Sequence, residues 1–272
     1  MTDVPSHNLC LLRRASVTPK CVRCKTRYCN ATCQHDHWRR GHKQICKEIH
    51  RGGNAEQYHA AKTYREAVAV AVEACAEDTK GQKCYICLEA VHSRSGEGLV
   101  RGCACGDRDG VSSPELGVAH VLCLAKQAKI LVAEADAINN GNGETYERWN
   151  ETWMRWSTCS LCKQPYQGDV ACALAWACLV VYCDSIEFYQ ERAVTGIAAS
   201  LKANKQFLGA RAVYGILLAH HRVDPCHSVI LLTLDNVRSC YAGLGWDEEL
   251  LDTEREFCQR RAGFMESRTE EP

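Results

Sequence analysis

No long apolar run is present in the chain. The longest, Val170 to Cys183, spans 14 residues, short of the roughly 20 that a membrane helix needs, so a buried helix is expected there. An apolar leader is absent too: Thr2, Asp3, Val4, Pro5 and Ser6 follow Met1. For a chain of 272 residues, that argues against a secreted disulfide framework and for a reducing intracellular compartment, cytoplasm or nucleus. Net charge is also missing, since 33 Lys and Arg balance 33 Asp and Glu. What the chain has in quantity is cysteine, 20 in all.

Sixteen cysteine and histidine positions in the first 162 residues fall into eight short pairs: His7/Cys10, Cys21/Cys24, Cys29/Cys33, His42/Cys46, Cys84/Cys87, Cys103/Cys105, His120/Cys123 and Cys159/Cys162. Thiolates and neutral imidazoles suit the soft, geometrically undemanding zinc ion, and two pairs close one tetrahedral structural site. Each pair can bite an ion from a single knuckle or helical turn. Cys29/Cys33 and His42/Cys46, four residues apart, are each expected on one face of a helix. The pairs therefore predict four Zn²⁺ per chain, in two modules of two.

Zero net charge hides an uneven distribution. Residues 1–50 carry ten Lys and Arg against three Asp and Glu, whereas residues 247–272 carry nine acidic residues against four basic ones. The basic patch, with Arg13, Arg14, Arg39 and Arg40, reads chiefly as a solvated face, and nucleic acid is the minor reading.

The string Cys21-Val-Arg-Cys24, Tyr28-Cys29, Cys33-Gln34, Trp38, His42 and Cys46 resembles the MYND finger family. His7-Asn-Leu-Cys10 stands where that family opens with CxxC, and imidazole is an ordinary zinc ligand. The resemblance implies interleaved sites, with His7, Cys10, Cys29 and Cys33 on one zinc and Cys21, Cys24, His42 and Cys46 on the other. Neither forms from contiguous sequence, so folding should be coupled to metal, which contributes roughly 10–16 kcal/mol in finger peptides. The family's groove for short proline-rich peptides maps onto Gln34 and Trp38, an amide to fix the peptide backbone and an indole face for proline rings. His35 and His37 are left as surface histidines.

Cys84-Tyr-Ile-Cys87, Cys103-Ala-Cys105, His120-Val-Leu-Cys123 and Cys159-Ser-Leu-Cys162-Lys-Gln-Pro165 resemble, in order and ligand type, the RING-CH variant of the RING finger. The resemblance implies one zinc on Cys84, Cys87, His120 and Cys123 and another on Cys103, Cys105, Cys159 and Cys162. The loops are longer than is usual for that family. The second holds an apolar helix expected over Val118 to Ile138, a polar turn Asn139-Asn-Gly-Asn-Gly143, and Trp149, Trp153 and Trp156; loop closure makes such an insertion tolerable. RING fingers act by docking a ubiquitin-conjugating enzyme, which is catalysis by positioning. Ile86, one of Trp153 or Trp156, and Pro165 are the candidate docking residues. Two departures speak against a ligase. Ala125-Lys126-Gln127-Ala128 stands where a tryptophan is expected, and Lys163 replaces an arginine whose planar fork lysine lacks.

Between the modules, Tyr58, Ala61, Tyr64, Val68, Ala71, Val72 and Cys75 mark an amphipathic helix over Glu56 to Glu77. From Asp169 the chain turns rich in alanine and leucine, and Leu231 to Glu249 resembles one tetratricopeptide repeat of the kinesin-light-chain type, with a partial copy around Ala199 to Val213. The remaining cysteines, Cys75, Cys172, Cys178, Cys183, Cys226, Cys240 and Cys258, read as buried small hydrophobes. Cys226-His227 lacks an oxyanion or acid partner that would make a nucleophile of it.

The expected fold is mainly α with small zinc-organised α+β modules: cross-braced zinc fingers followed by a helical repeat-like region. Residues 1–50 form a MYND-type finger, 51–80 a linking helix, 81–168 a RING-CH-like module and 169–272 the helical tail. The leading function is a zinc-binding interaction scaffold for proteins or proline-rich peptides, away from membranes. The alternative is a RING-type ubiquitin ligase. A lysine methyltransferase is disfavoured, because no Asn-His-Ser type cofactor segment is found, and no catalytic residue is assigned.

Overall fold

The computed structural model describes residues 19–26, 28, 30–53, 55–105, 117–142, 146–185, 187–221 and 227–269. They are predominantly helical, and contacts divide the chain into two compact units, Ala60–Gly196 and Met1–His59 with Ile197–Pro272.

Within Ala60–Gly196 the first element is the greater part of helix α3, Ala55–Ala74. Its buried stripe, Ala60, Val68, Ala71 and then Cys75, follows the three- and four-residue steps of the sequence pattern. A short antiparallel pair follows, β1 (Val100–Arg101) and β2 (Val118–Ala119), with Val100 opposite Ala119 and Arg101 opposite Val118. Helix α4 (Val121–Asn142) leaves β2 directly. Glu97 secures that start: one carboxylate oxygen accepts the Leu122 N–H at 2.9 Å, and the other accepts the Tyr64 hydroxyl of α3 at 3.2 Å. The carboxylate at a helix N-terminus also meets the positive end of the helix dipole. The polar turn expected at Asn139 is helical backbone as far as Asn142. Gly and Asn lower helix propensity by about 1 kcal/mol or less each, too little to stop a helix already propagating.

Helices α5 (Tyr146–Trp153), α6 (Gly168–Tyr182) and α7 (Glu187–Ala203) complete this part, with a 3₁₀ turn over Met154–Trp156. Helix α6 is buried nearly all round, from Val170 and Cys172 to Leu179 and Tyr182. That is the expected fate of the longest apolar run, and among the described residues no helix is long and apolar enough to cross a membrane. Trp149, Trp153 and Trp156 pack here with Tyr182 and Tyr189. Trp153 stacks on Trp149 at 5.4 Å between centroids, and the Arg192 guanidinium sits 5.2 Å from the Trp149 ring and 5.4 Å from Trp153. Trp153 and Trp156 are thus buried, 7% and 5% exposed, and offer no docking face. The physical reason is area: an indole gains more from a dry aromatic cluster than from a wet loop.

In the other unit, helix α1 (Ala31–His37) is capped by Asn30, whose side-chain oxygen accepts the Cys33 N–H at 2.8 Å. A π-helical turn, Trp38–His42, kinks at Gly41 (φ +119°) before helix α2, Lys43–Arg51. Cys21, Cys24, Tyr28, Cys46, Ile49 and Ala55 form its core. The same unit holds the end of α7 from Ile197, then α8 (Phe207–His221), α9 (His227–Leu244) and α10 (Asp247–Thr269). Leu218, Ile230 and Leu234 pack together with Phe257. Of the cysteines outside the pairs, Cys75, Cys172, Cys178, Cys183 and Cys240 are buried, Cys258 is exposed, and Cys226 lies outside the described residues.

Trp153→Ala is expected to lower stability by about 3–5 kcal/mol, the cost of emptying a large aromatic site, as a shift in the denaturant midpoint of the Ala60–Gly196 unit. An unchanged midpoint would contradict the buried placement.

Candidate metal centres

Three stretches share one backbone device. In Cys21 to Thr26, Cys84 to Glu89 and Cys159 to Gln164, the N–H four residues after the first cysteine returns to that cysteine's carbonyl (Lys25, Leu88 and Lys163, at 2.9, 2.8 and 3.0 Å). The first cysteine's own N–H bonds the carbonyl five residues on, at 2.8, 3.0 and 2.9 Å. Closing so tight a loop puts Lys25, Leu88 and Lys163 at φ +61°, +65° and +63°, a cost that non-glycine residues bear where a site requires it. The result is a knuckle in which both sulfurs point inward, and the Ile86 N–H reaches the Cys84 sulfur at 3.4 Å.

The knuckles meet other pairs brought from a distance. Cys21 and Cys24 join His42 and Cys46; Cys84 and Cys87 join His120 and Cys123; Cys103 and Cys105 join Cys159 and Cys162. In each tetrad the ligand atoms lie within 4.8 Å of one another. The Gly41 kink makes His42 the residue that opens α2, one turn before Cys46. His120 and Cys123 sit where β2 becomes α4, and the Tyr85 N–H donates to the Val118 carbonyl at 3.0 Å. The third site is tied in from both sides, by the Gln167 N–H on the Gly102 carbonyl at 2.9 Å and by Tyr85, whose hydroxyl lies 3.2 Å from that of Ser160.

Zn–S bonds of about 2.3 Å and Zn–N bonds of about 2.0 Å imply tetrahedral edges of about 3.8 Å between sulfurs and about 3.5 Å from sulfur to nitrogen. Cys21 and Cys46 sulfurs are 3.7 Å apart, Cys105 and Cys159 3.5 Å. Sulfur to nitrogen, Cys24 to His42 Nε2 is 3.4 Å, and Cys87 and Cys123 stand 3.3 and 3.7 Å from His120 Nδ1. These are tetrahedral edges rather than disulfides, whose sulfurs lie about 2.05 Å apart. The residues present therefore fit zinc.

Charge tells the same story. Hydrogen bonding from Cys103 leads in drawing the Cys159 thiol down to about 4, against its burial. Cys103 is pushed far up by the same partner and by burial. Burial raises Cys21, yet the Cys24 backbone N–H and the His42 ring outweigh it and bring it to about 6, while burial and the Cys21 sulfur push Cys46 up to about 12. Without a cation, one thiolate in a tetrad suppresses the next. Burial also lowers His120, more than the Glu97 carboxylate raises it, which leaves the neutral imidazole that a metal ligand requires.

His7, Cys10 and Cys29, expected to complete a fourth tetrad with Cys33, lie outside the described residues, and Cys33 packs half-buried against the core of its module. Gln34 is half-buried and Trp38 is 49% exposed, its ring centroid 5.9 Å from that of His42. His37 is not free at the surface: its Nδ1 lies 3.1 Å from the Tyr28 hydroxyl and its ring 4.6 Å from His42. Ile86 lines a cavity of 450 Å³ with Cys87, His92, Lys126, Ile130 and Leu131, and Pro165 is exposed. Sequence reasoning missed His92, 6% exposed, whose ring stands edge-on to His120 at 5.3 Å. A signal was there. His92 to Glu97 repeats the knuckle hydrogen bonds eight residues after Cys84, with Ser95 in place of the second cysteine.

Comparison with known proteins bears on the first of these modules. Residues 8–46 match the MYND finger family model. Ubiquitin C-terminal hydrolase 15 of Oryza sativa subsp. japonica is 42% identical over 45 residues, 16% of this chain. The chain spans only 5% of that relative's length. No solved structure matches the chain. The match to the MYND model and the three tetrads together are consistent with zinc binding.

Gly117 (φ +83°) has no room for a side chain: a Cβ would stand 2.7 Å from that of Cys105 and 2.9 Å from the Cys103 sulfur. Elemental analysis is expected to give about one zinc ion per chain fewer for Gly117→Ala than for the wild type. Full zinc content in that variant would contradict the Cys103 tetrad.

Proposed function

We propose that the protein is a zinc-organised interaction adaptor with four structural zinc ions. Cys21, Cys24, His42 and Cys46 hold one; Cys84, Cys87, His120 and Cys123 a second; Cys103, Cys105, Cys159 and Cys162 a third; His7, Cys10, Cys29 and Cys33 the fourth. The observation that carries the reading is the closure of three tetrads with tetrahedral spacing from pairs far apart in sequence. All their ligand positions are filled by protein, which is the structural rather than the catalytic form of a zinc site.

On this reading residues 1–50 are a peptide-binding finger, 51–80 a linking helix, 81–168 a RING-CH-like module, and 169–272 a helical, tetratricopeptide-like partner surface. Gln34 and Trp38, four residues apart across the end of α1, present one face. The exposed indole, braced by the buried His42, suits the rings of a short proline-rich segment, which costs little entropy to bind because it is already extended. The likeness to the rice hydrolase is confined to 45 residues and lends the chain no catalytic group.

A second reading, docking of a ubiquitin-conjugating enzyme, is favoured by one feature, the apolar cavity between Ile86 and α4. Ile86 and Pro165 remain its docking candidates, without the tryptophans.

Trp38→Ala is expected to weaken binding of a fluorescent proline-rich peptide by about tenfold or more, loss of an aromatic anchor being worth about 2 kcal/mol, with zinc content intact. Undiminished affinity would remove the groove from the finger. For the second reading, ubiquitin transfer is assayed across a panel of conjugating enzymes. Transfer by wild type that fails in Ile86→Ala supports it, and transfer indifferent to Ile86→Ala, or none with any enzyme, eliminates that docking surface.

A further inference from the structure

Helix α2 keeps its two faces chemically apart. Cys46 and Ile49 are buried, whereas Lys43, Lys47 and Arg51, each four residues after the last, stand exposed along one line. Arg39 and Arg40, exposed as well, carry the positive charge back through the π-helical turn to Trp38. Among the described residues no carboxylate pairs with any of these five. The nearest acid in sequence, Glu48, accepts the Tyr58 hydroxyl at 3.2 Å.

Other exposed helix faces in the chain mix their signs. On α10, Arg255 pairs with Asp252 and Arg260 with Glu256, and on α3, Lys62 stands 3.9 Å from Glu66. The α2 line carries one sign alone. Like charges four residues apart on a helix repel, and their fields add, so the line draws an anion before contact is made. An incoming row of carboxylates turns that repulsion into attraction.

Spacing selects the form of that row. Successive cations on α2 are about 6 Å apart, four residues at about 1.5 Å each. Two residues of an extended segment advance about 6.6 Å and return to the same face. An extended peptide with acids at alternate positions therefore meets Lys43, Lys47 and Arg51 in step. The exposed Trp38 ring packs against His42, the residue before Lys43, so prolines resting on that indole have these cations as neighbours. Nucleic acid suits the face less well. Base stacking needs a succession of aromatic platforms, but α2 carries no Trp, Tyr or Phe, and the exposed Glu48 follows Lys47 directly.

We propose that the finger's partner is an extended segment with Asp or Glu at alternate positions beside its prolines. Lys43, Lys47 and Arg51 receive those acids, with Arg39 and Arg40 next to the prolines. The inference rests on the groove at Gln34 and Trp38 and adds to it the charge and spacing of the ligand.

The test uses the full-length, zinc-loaded protein and fluorescent peptides that share one proline core. Their flanks, on either side, carry Glu, Gln or Lys at three alternate positions. The Glu peptide is expected to bind about tenfold more tightly than the Gln peptide at low salt, three exposed ion pairs together being worth that much, and to lose the advantage as salt rises. Lys43→Glu with Lys47→Glu is expected to reverse the order in favour of the Lys peptide, with zinc content unchanged. If zinc content falls in that variant, Arg51→Glu, at the end of α2, decides by loss of the Glu advantage. The proposal is overturned if Glu and Gln peptides bind alike through Trp38, or if the Glu advantage survives these charge reversals. It is overturned too if a single-stranded oligonucleotide displaces the peptides in a steeply salt-dependent way. A different result marks failure of the groove itself: no peptide binds, or all bind equally to Trp38→Ala, and the inference falls with it.

Discussion

Everything in the zinc modules depends on the repulsion of thiolates held at contact distance. Two unit negative charges about 3.6 Å apart repel by about 4–5 kcal/mol even at an effective dielectric constant of 20. A tetrad contains several such pairs, so its sulfurs cannot all ionise unaided; a drawn-down Cys159 beside a pushed-up Cys103 is the protein's own partial solution. A divalent cation turns each repulsion into attraction, and structural zinc is worth roughly 10–16 kcal/mol in finger peptides. That exceeds what a two-residue strand pair and a few buried side chains supply.

The same constraint sets the architecture around the metal. Each knuckle has to aim two sulfurs into one point, which forces a left-handed residue after the second cysteine in all three. Helix α4 starts one residue after His120 and includes Cys123 in its first turn, so the second tetrad fixes where that helix begins. Glu97 then binds the helix start and Tyr64 together. Helix α3 inherits its position from the zinc site although it carries no ligand.

This division explains what was legible in the sequence. Pair spacing is local chemistry, so the knuckles and the residue types that face zinc could be read directly; so could the stripe of α3 and the buried run that becomes α6, because periodicity and apolar content are local as well. The tryptophans could not be placed. A tryptophan in a long insertion looks equally suited to a docking surface or a core, and the difference lies in Tyr182, Tyr189 and Arg192, more than 25 residues away in sequence. His92 was hidden for a related reason: its turn copies a knuckle, yet without a second cysteine nothing in the spacing marks it.

Arg192 and Arg211 make the same contact in different surroundings. Each lays a guanidinium against aromatic rings, an interaction worth about 0.5–2 kcal/mol. Arg192 is enclosed by Trp149, Trp153 and Phe188 and donates to the Asn150 side chain. A donor of its fork is thus met inside the fold. Arg211 has two rings and a buried Nε with no partner. Partial burial weakens its hydration without supplying a counter-charge, and an unmet buried donor is costly.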